Sequence, residues 1–147
     1  MISDSIFSSR SVEWETPHYF FDALDSEFRF TLDAASSDEN AKCKHHFTKA
    51  DDGLQKSWAG ETVWLNPPYG KDIGKWMQKA YEESVNGATV VCLVPARTDT
   101  KWFHDYVYQK PNVEIRFVKG RLKFGGSENN APFPSMIVVY RAEEGER

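Results

Sequence analysis

The run Ala88-Thr89-Val90-Val91-Cys92-Leu93-Val94, apolar almost without a break, constrains the fold more than any other feature. Successive side chains of a strand point to opposite sides, so a strand with one wet face alternates polar and apolar residues. A continuous apolar strand must be covered on both faces, as in a parallel sheet flanked by helices. The flanking sequence supplies such helices. Asp72 to Val85 carries Ile73, Trp76, Met77 and Ala80 on one helical face, with Lys71, Lys75 and Lys79 spaced along the other. Thr16-Pro17 reads as an N-cap followed by a first-turn proline, and Tyr19, Phe20, Phe21, Leu24 and Phe28 continue at helical spacing to about Glu27. Thr98 or Asp99 can cap a third helix reaching about Tyr108.

Between these lie further strand candidates. Phe30 to Ala34 is short and ends in the carboxylate Asp33; His45 to Thr48 is another; Thr62 to Asn66 runs straight into two prolines. Asp51-Asp52-Gly53-Leu54 reads as a turn leading to a helical stub near Trp58. Val113 to Val118 alternates, Arg121 to Phe124 follows Lys119-Gly120, and Ser135 to Tyr140 is a last apolar strand. Gly125 to Pro134, rich in Gly, Asn and Pro, is a long loop of the kind that often carries function. Strands alternating with helices, then two strands joined without one, predict an α/β fold with a mostly parallel sheet and a C-terminal antiparallel strand pair. Residues 1–12 read as a loose polar arm, 13–142 as one domain and 143–147 as a polar tail.

Charge and cysteine content narrow the function classes. The net charge of −4 counts against bulk affinity for nucleic acid, so any such contact needs a local basic patch. Cys43 and Cys92 are far apart, and Cys92 sits in the most apolar run, which suggests free thiols. Cys43-x-His45-His46 is not a familiar zinc spacing, and no metal is expected. No apolar run approaches the roughly 20 residues of a membrane span; the expectation is a cytoplasmic protein.

In open α/β sheets, ligands bind beyond the carboxyl ends of the strands. Asp33 and Asn66 each end a candidate strand there. Asn66-Pro67-Pro68-Tyr69 suits chemistry on an exocyclic amine, whose lone pair is delocalised into its ring. The Asn66 side-chain oxygen and the Pro67 carbonyl can accept hydrogen bonds from such an amine and favour a pyramidal nitrogen, while Tyr69 offers a stacking face. The prolines stiffen the loop. A base in a duplex would have to flip out to reach it. Basic candidates for phosphate contact are Lys71, Lys75 and Arg97; Lys119, Arg121 and Lys123, with Phe124 nearby, suit contact with DNA or the target base.

An Asn-Pro-Pro-Tyr loop after an apolar strand resembles the signature of amino-group methyltransferases that use S-adenosyl-L-methionine. From about Glu13 to Tyr140 the chain is similar to phage- and prophage-type DNA N6-adenine methyltransferases, the Dam-like family. The likeness rests on Trp14-Glu15-Thr16-Pro17, Leu32-Asp33-Ala34-Ala35, Asp52-Gly53-Leu54, Trp64 to Tyr69, Val94 to His104, Gly120 to Phe124 and Ala131 to Ser135, in that order. It implies a Rossmann-like methyltransferase fold and transfer of a methyl group to adenine N6 in DNA. Thr16 and Pro17 would help hold the carboxylate end of the cofactor. Asp33, Ala34 and Ala35 would form the first cofactor-binding turn, Asp33 accepting from the cofactor's amino group. Asp51 or Asp52 would lie near its adenine, and Asn66 to Tyr69 would hold a flipped adenine. Ala34-Ala35-Ser36-Ser37 stands where such enzymes usually carry a Gly-rich loop, and the ribose-binding acid is open between Glu39 and Asp51. The same loop chemistry would serve an RNA adenine or a glutamine side chain, and a non-catalytic domain that binds DNA or a partner is the alternative from another class.

Overall fold

The structure, a computed structural model, describes residues 15–125 and 129–143. The predicted arm 1–12, Trp14, most of the predicted tail and positions 126–128 of the long loop lie outside the described residues. In chain order the elements are α1 (His18–Phe28), β1 (Leu32–Asp33), a 3-10 turn (Gly53–Gln55), β2 (Thr62–Leu65), α2 (Ile73–Val85), β3 (Thr89–Pro95), α3 (Lys101–Tyr106), β4 (Val113–Phe117) and β5 (Ser135–Tyr140).

The strands form one sheet in the order β1-β2-β3-β5-β4. β1, β2 and β3 are parallel, and β5 is antiparallel to both its neighbours. β4 therefore runs in the direction of the first three strands, and β5 alone is reversed. The expected antiparallel terminal pair is present, but β5 is inserted between β3 and β4 rather than added outside. This makes β3 and β5 the centre of the sheet, and their residues from Val90 to Val94 and from Met136 to Tyr140 are almost wholly buried.

Register assigns the two faces. Trp64, Val91, Val139 and Glu114 lie in one row, and residues two apart share a side. That face receives α1: Phe21 packs edge-on to Trp64 at 5.3 Å, and Arg116 makes a fork-like pair with Glu27 at 2.7 Å on both arms. The opposite face, carrying Val90, Cys92 and Tyr140, receives α2 and α3. There the Tyr140 ring meets Tyr81 at 6.3 Å and its hydroxyl donates to the Tyr106 carbonyl. Helices thus cover both faces of the apolar strands, as the run at 88–94 demands. No helix among the described residues is long and apolar enough to cross a membrane.

Local chemistry changed several element ends. Pro17, not Thr16, is the N-cap of α1, with no side-chain cap; Thr16 is buried and turned elsewhere. β1 is only two residues long, and the expected strand at 45–48 reduces to one bridge between Asp33 and His46. Thr100 caps α3, its hydroxyl accepting from Phe103 N, whereas the Thr98 carbonyl meets the His104 ring; the helix stops at Tyr106. Arg121 to Phe124 is no strand. Both edges of β5 are already taken by β3 and β4, so this segment turns back instead: Ala131 N donates to the Leu122 carbonyl and Gly125 bridges to Glu15. Its alternation survives, with Leu122 and Phe124 buried and Arg121 and Lys123 exposed. Lys79 leaves the expected solvated stripe; it is half-buried, pairs with Glu83 at 3.4 Å and lies over the Trp58 ring.

Candidate active site

β2 ends where it does because Pro67 and Pro68 carry no N–H and cannot extend the ladder that stops at Leu65–Cys92. Asn66 is thereby released at the carboxyl edge of the sheet. β1 ends one strand away at Asp33, opposite Trp64, so Asp33 and Asn66 lie on the same face at the same edge of the sheet. Asp33, Asn66, Thr16, Ala34, Ala35, Asp52, Pro68, Tyr69 and Lys71 all line one cavity of about 350 Å³. That volume is within the range of small-molecule sites. Pro17, Pro67 and Asp51 are not among its lining residues. Asp51 is tied to Thr48, accepting from its backbone N–H and its hydroxyl, and Glu39 is exposed away from the cavity. Of the acids considered for the cofactor's nucleoside end, Asp52 is the one the cavity contains.

Asp33 is buried, and burial pushes its carboxyl up to about 6. Backbone N–H groups of Lys42 (2.9 Å) and Ala35 (3.3 Å) work against that rise by donating to the charged form. In the unfolded chain the carboxyl ionises near 3.8 and in the folded protein near 6, so stability is lost as pH rises through that window. A buried carboxylate whose ionisation costs stability, lining a cavity, is a candidate functional group.

Gly53 and Trp76 also line the cavity, the first known from sequence only as part of a turn and the second only as a core-facing helix residue. Gly53 is buried, and a Cβ there would sit 2.3 Å from the Ala34 carbonyl oxygen and 3.3 Å from the Trp76 ring. Only glycine allows this turn to close against the end of β1. We expect Gly53→Ala to lower stability by about 1–3 kcal/mol through overpacking and to weaken small-molecule binding in the cavity. Thermal melts and calorimetry on the same samples check both effects. Trp76 looked like a plain core residue of α2, because its helical phase is apolar; its place one turn after the loop was the only hint.

Within the loop, Asn66 is held at both ends of its amide. Its Nδ2 donates to the Thr16 hydroxyl at 3.2 Å, and its Oδ1 accepts from the Tyr69 hydroxyl at 2.9 Å. Tyr69 OH also lies 3.0 Å from the Leu93 carbonyl. Burial holds the Tyr69 hydroxyl well above its usual pKa, so it stays protonated. Phe133 and Phe124 meet the Tyr69 ring nearly edge-on at 5.6 and 6.4 Å. Phe124, expected at a DNA surface, is 1% exposed and backs Tyr69 instead; the buried phase of its segment turns it inward.

A second cavity, of about 760 Å³, shares Tyr69 and Lys71 as its boundary with the first. Lys75, Arg97 and Lys101 line it together with Trp102 and Phe133. Lys75 pairs with Asp72, Lys101 with Asp105, and the Arg97 guanidinium lies over Phe133 at 5.9 Å. Three of the basic candidates, Lys71, Lys75 and Arg97, therefore converge at one opening, with Lys101 as an unforeseen fourth. Arg121 and Lys123 are exposed and line neither cavity. Among the described residues no cluster of three His, Cys, Asp or Glu could hold a metal ion.

Residues 5–147 match the family described as DNA N-6-adenine-methyltransferase (Dam). A DNA N-6-adenine-methyltransferase of Haemophilus phage HP1 is 28% identical over 136 residues, covering 86% of this chain and 77% of that protein. Another, of Escherichia phage T1, is 34% identical over 93 residues, which is 61% of this chain but only 38% of the relative.

Proposed function

This chain belongs to the DNA N-6-adenine-methyltransferase (Dam) family, and from that premise we propose that it transfers a methyl group from S-adenosyl-L-methionine to adenine N6 in DNA. The observation that carries the reading is the shared cavity of Asp33 and Asn66 at the carboxyl edge of a sheet with four aligned strands and one reversed. That topology supports the Rossmann-like methyltransferase fold, with residues 13–142 as its one domain.

The cavity's residues fit the cofactor. Asp33 offers a buried carboxylate for an ammonium group, and Asp52 an acid for ribose hydroxyls. The close turn at Ala34 and Gly53 leaves room beside Trp76, whose ring can face a purine. When bound, S-adenosyl-L-methionine supplies a methyl group made electrophilic by its sulfonium. The chain's own part is positioning. Asn66 Oδ1 accepts from the adenine amine and turns its lone pair toward the methyl group; the Pro67 carbonyl, which lines neither cavity, becomes the second acceptor only once the base enters. Tyr69 stacks on the flipped base, returning roughly 1–3 kcal/mol of the few kcal/mol that flipping costs. Lys71, Lys75 and Arg97 meet phosphates, with Arg121 and Lys123 reaching a more distant part of the duplex. Oriented dipoles and proximity lower the barrier without a covalent intermediate. The N6 proton then leaves to water.

The deciding assay offers labelled cofactor with DNA, RNA and a glutamine-bearing protein, and maps the product. Label on adenine N6 of DNA is expected; label on RNA or protein alone would move the substrate, and none on any would remove the catalytic reading. Asp33 adds a pH signature. Protonation removes the charge that an ammonium group needs, so cofactor affinity should hold above pH 7 and fall about tenfold per pH unit once pH drops well below the carboxyl's value in the free protein, about 6. Calorimetry from pH 5 to 8 measures it, and Asp33→Asn should bind weakly with a flat profile.

A further inference from the structure

We infer that the hydroxyls of Thr16 and Tyr69 form a two-point clamp on the Asn66 amide, and that the Tyr69 proton passes from Asn66 Oδ1 to the Leu93 carbonyl when a substrate amine arrives. The inference rests on the reaction proposed above and gives Tyr69 a role beyond its ring. An asparagine used as an acceptor has a weakness: half a turn about its last bond presents the NH2 end, which would repel an incoming amine. Thr16 Oγ at 3.2 Å from Nδ2 and Tyr69 OH at 2.9 Å from Oδ1 oppose that turn from two sides. Thr16 is 2% exposed and Tyr69 5% exposed, so water does not compete easily for either contact.

The switch follows from counting protons. A phenol carries one proton, yet Tyr69 OH faces two acceptors, Asn66 Oδ1 at 2.9 Å and the Leu93 carbonyl at 3.0 Å. It satisfies one at a time. In the proposed resting state its proton points to Asn66 Oδ1, which keeps that oxygen hydrogen-bonded while the site is empty. Once the amine donates to Oδ1, the phenol proton rotates toward Leu93 and no buried acceptor is left bare. The Leu93 carbonyl is well placed for this because β3 ends beside the loop. Thr16 and Tyr69 are positioning residues, since each acts through Asn66.

The test uses the full-length protein and isosteric changes. Tyr69→Phe keeps the ring and removes the proton; Thr16→Val keeps the shape and removes the hydroxyl. Each should lower kcat at least about tenfold, with KM for DNA and Kd for the cofactor within about twofold. Thr16→Ser should restore most of the rate. The double variant should lose less than the product of the single losses, because both act on one amide. Side-chain amide NMR of Asn66 reads the clamp without turnover: Thr16→Val should shift the Nδ2 protons strongly. A kcat for Tyr69→Phe within twofold of wild type overturns the proposal. So does a Thr16→Val that weakens cofactor binding while leaving kcat intact, since Thr16 would then hold the cofactor. So does an Asn66 amide whose proton resonances respond to Tyr69→Phe but not to Thr16→Val, since the amide would then face the other way. A wild-type protein that leaves DNA unmethylated defeats the reaction reading, while the NMR arm still decides the clamp.

Discussion

Asn66→Ala is expected to lower kcat for methyl transfer to DNA by about 100- to 1000-fold, the usual cost of losing one preorganised polar group at a reacting centre. The side chain sits at the mouth of the cavity at the end of β2, half-buried, so its removal opens no core void. The hydrogen bonds of its side chain to Thr16 and Tyr69 contribute about 1 kcal/mol each, so the melting temperature should fall only modestly. Cofactor affinity should change far less than the rate, because Asp33 and Asp52 are untouched. Asn66→Asp keeps an acceptor, and Thr16 can turn its hydroxyl proton toward the new oxygen, so this variant should retain more activity than the alanine. Single-turnover transfer of labelled methyl, with modified adenines mapped, measures the effect. Wild-type rates in Asn66→Ala would remove the loop from the chemistry altogether.

The largest effect on stability is expected from Trp58→Ala, at about 3–5 kcal/mol, a large share of the 5–15 kcal/mol typical of a domain. Trp58 is fully buried and stacks against Trp76 at 6.5 Å. Its indole N–H donates to the Gly53 carbonyl at 3.0 Å, its backbone N–H donates to Glu83, and Lys79 lies over its ring. Removing the ring empties the space beneath the Gly53 turn, so cofactor binding should weaken along with folding. Trp58→Phe separates the two contributions. It keeps much of the apolar contact and loses the bond to Gly53, for about 1 kcal/mol from that bond and a smaller loss of affinity. Denaturant melts on both variants, with calorimetry on the folded fraction, check the ordering.

These two expectations draw on different amounts of sequence information. Asn66 was legible from its own surroundings: an apolar run, two prolines that end the ladder, and an aromatic. Asp33 was legible for the same reason, as the polar end of a short buried strand. Trp58 gave no such signal, because the turn it supports is built from Gly53, Trp76 and Glu83, which approach from separate parts of the chain. Thr16 was legible as a helix cap by local pattern, and the local pattern lost: Pro17 took the cap, and the hydroxyl found a partner fifty positions away. Phe124 faces inward because the alternation of Arg121 and Lys123 puts the charged residues outward and the aromatic on the buried phase.

The sequence by itself determined the class of fold and the loop at its centre. A strand apolar on both faces requires helices on both sides, and proline ends a strand wherever it stands; both follow from covalent geometry and solvation along a few consecutive residues. The tertiary structure alone decided that β5 enters between β3 and β4, that Asp52 rather than Asp51 or Glu39 lines the cavity, and that Thr16 and Tyr69 hold opposite ends of Asn66. These outcomes depend on which hydrogen-bonding edges and buried polar atoms still lack a partner once the chain has closed on itself. That balance is settled between residues far apart in sequence, and no local spacing encodes it.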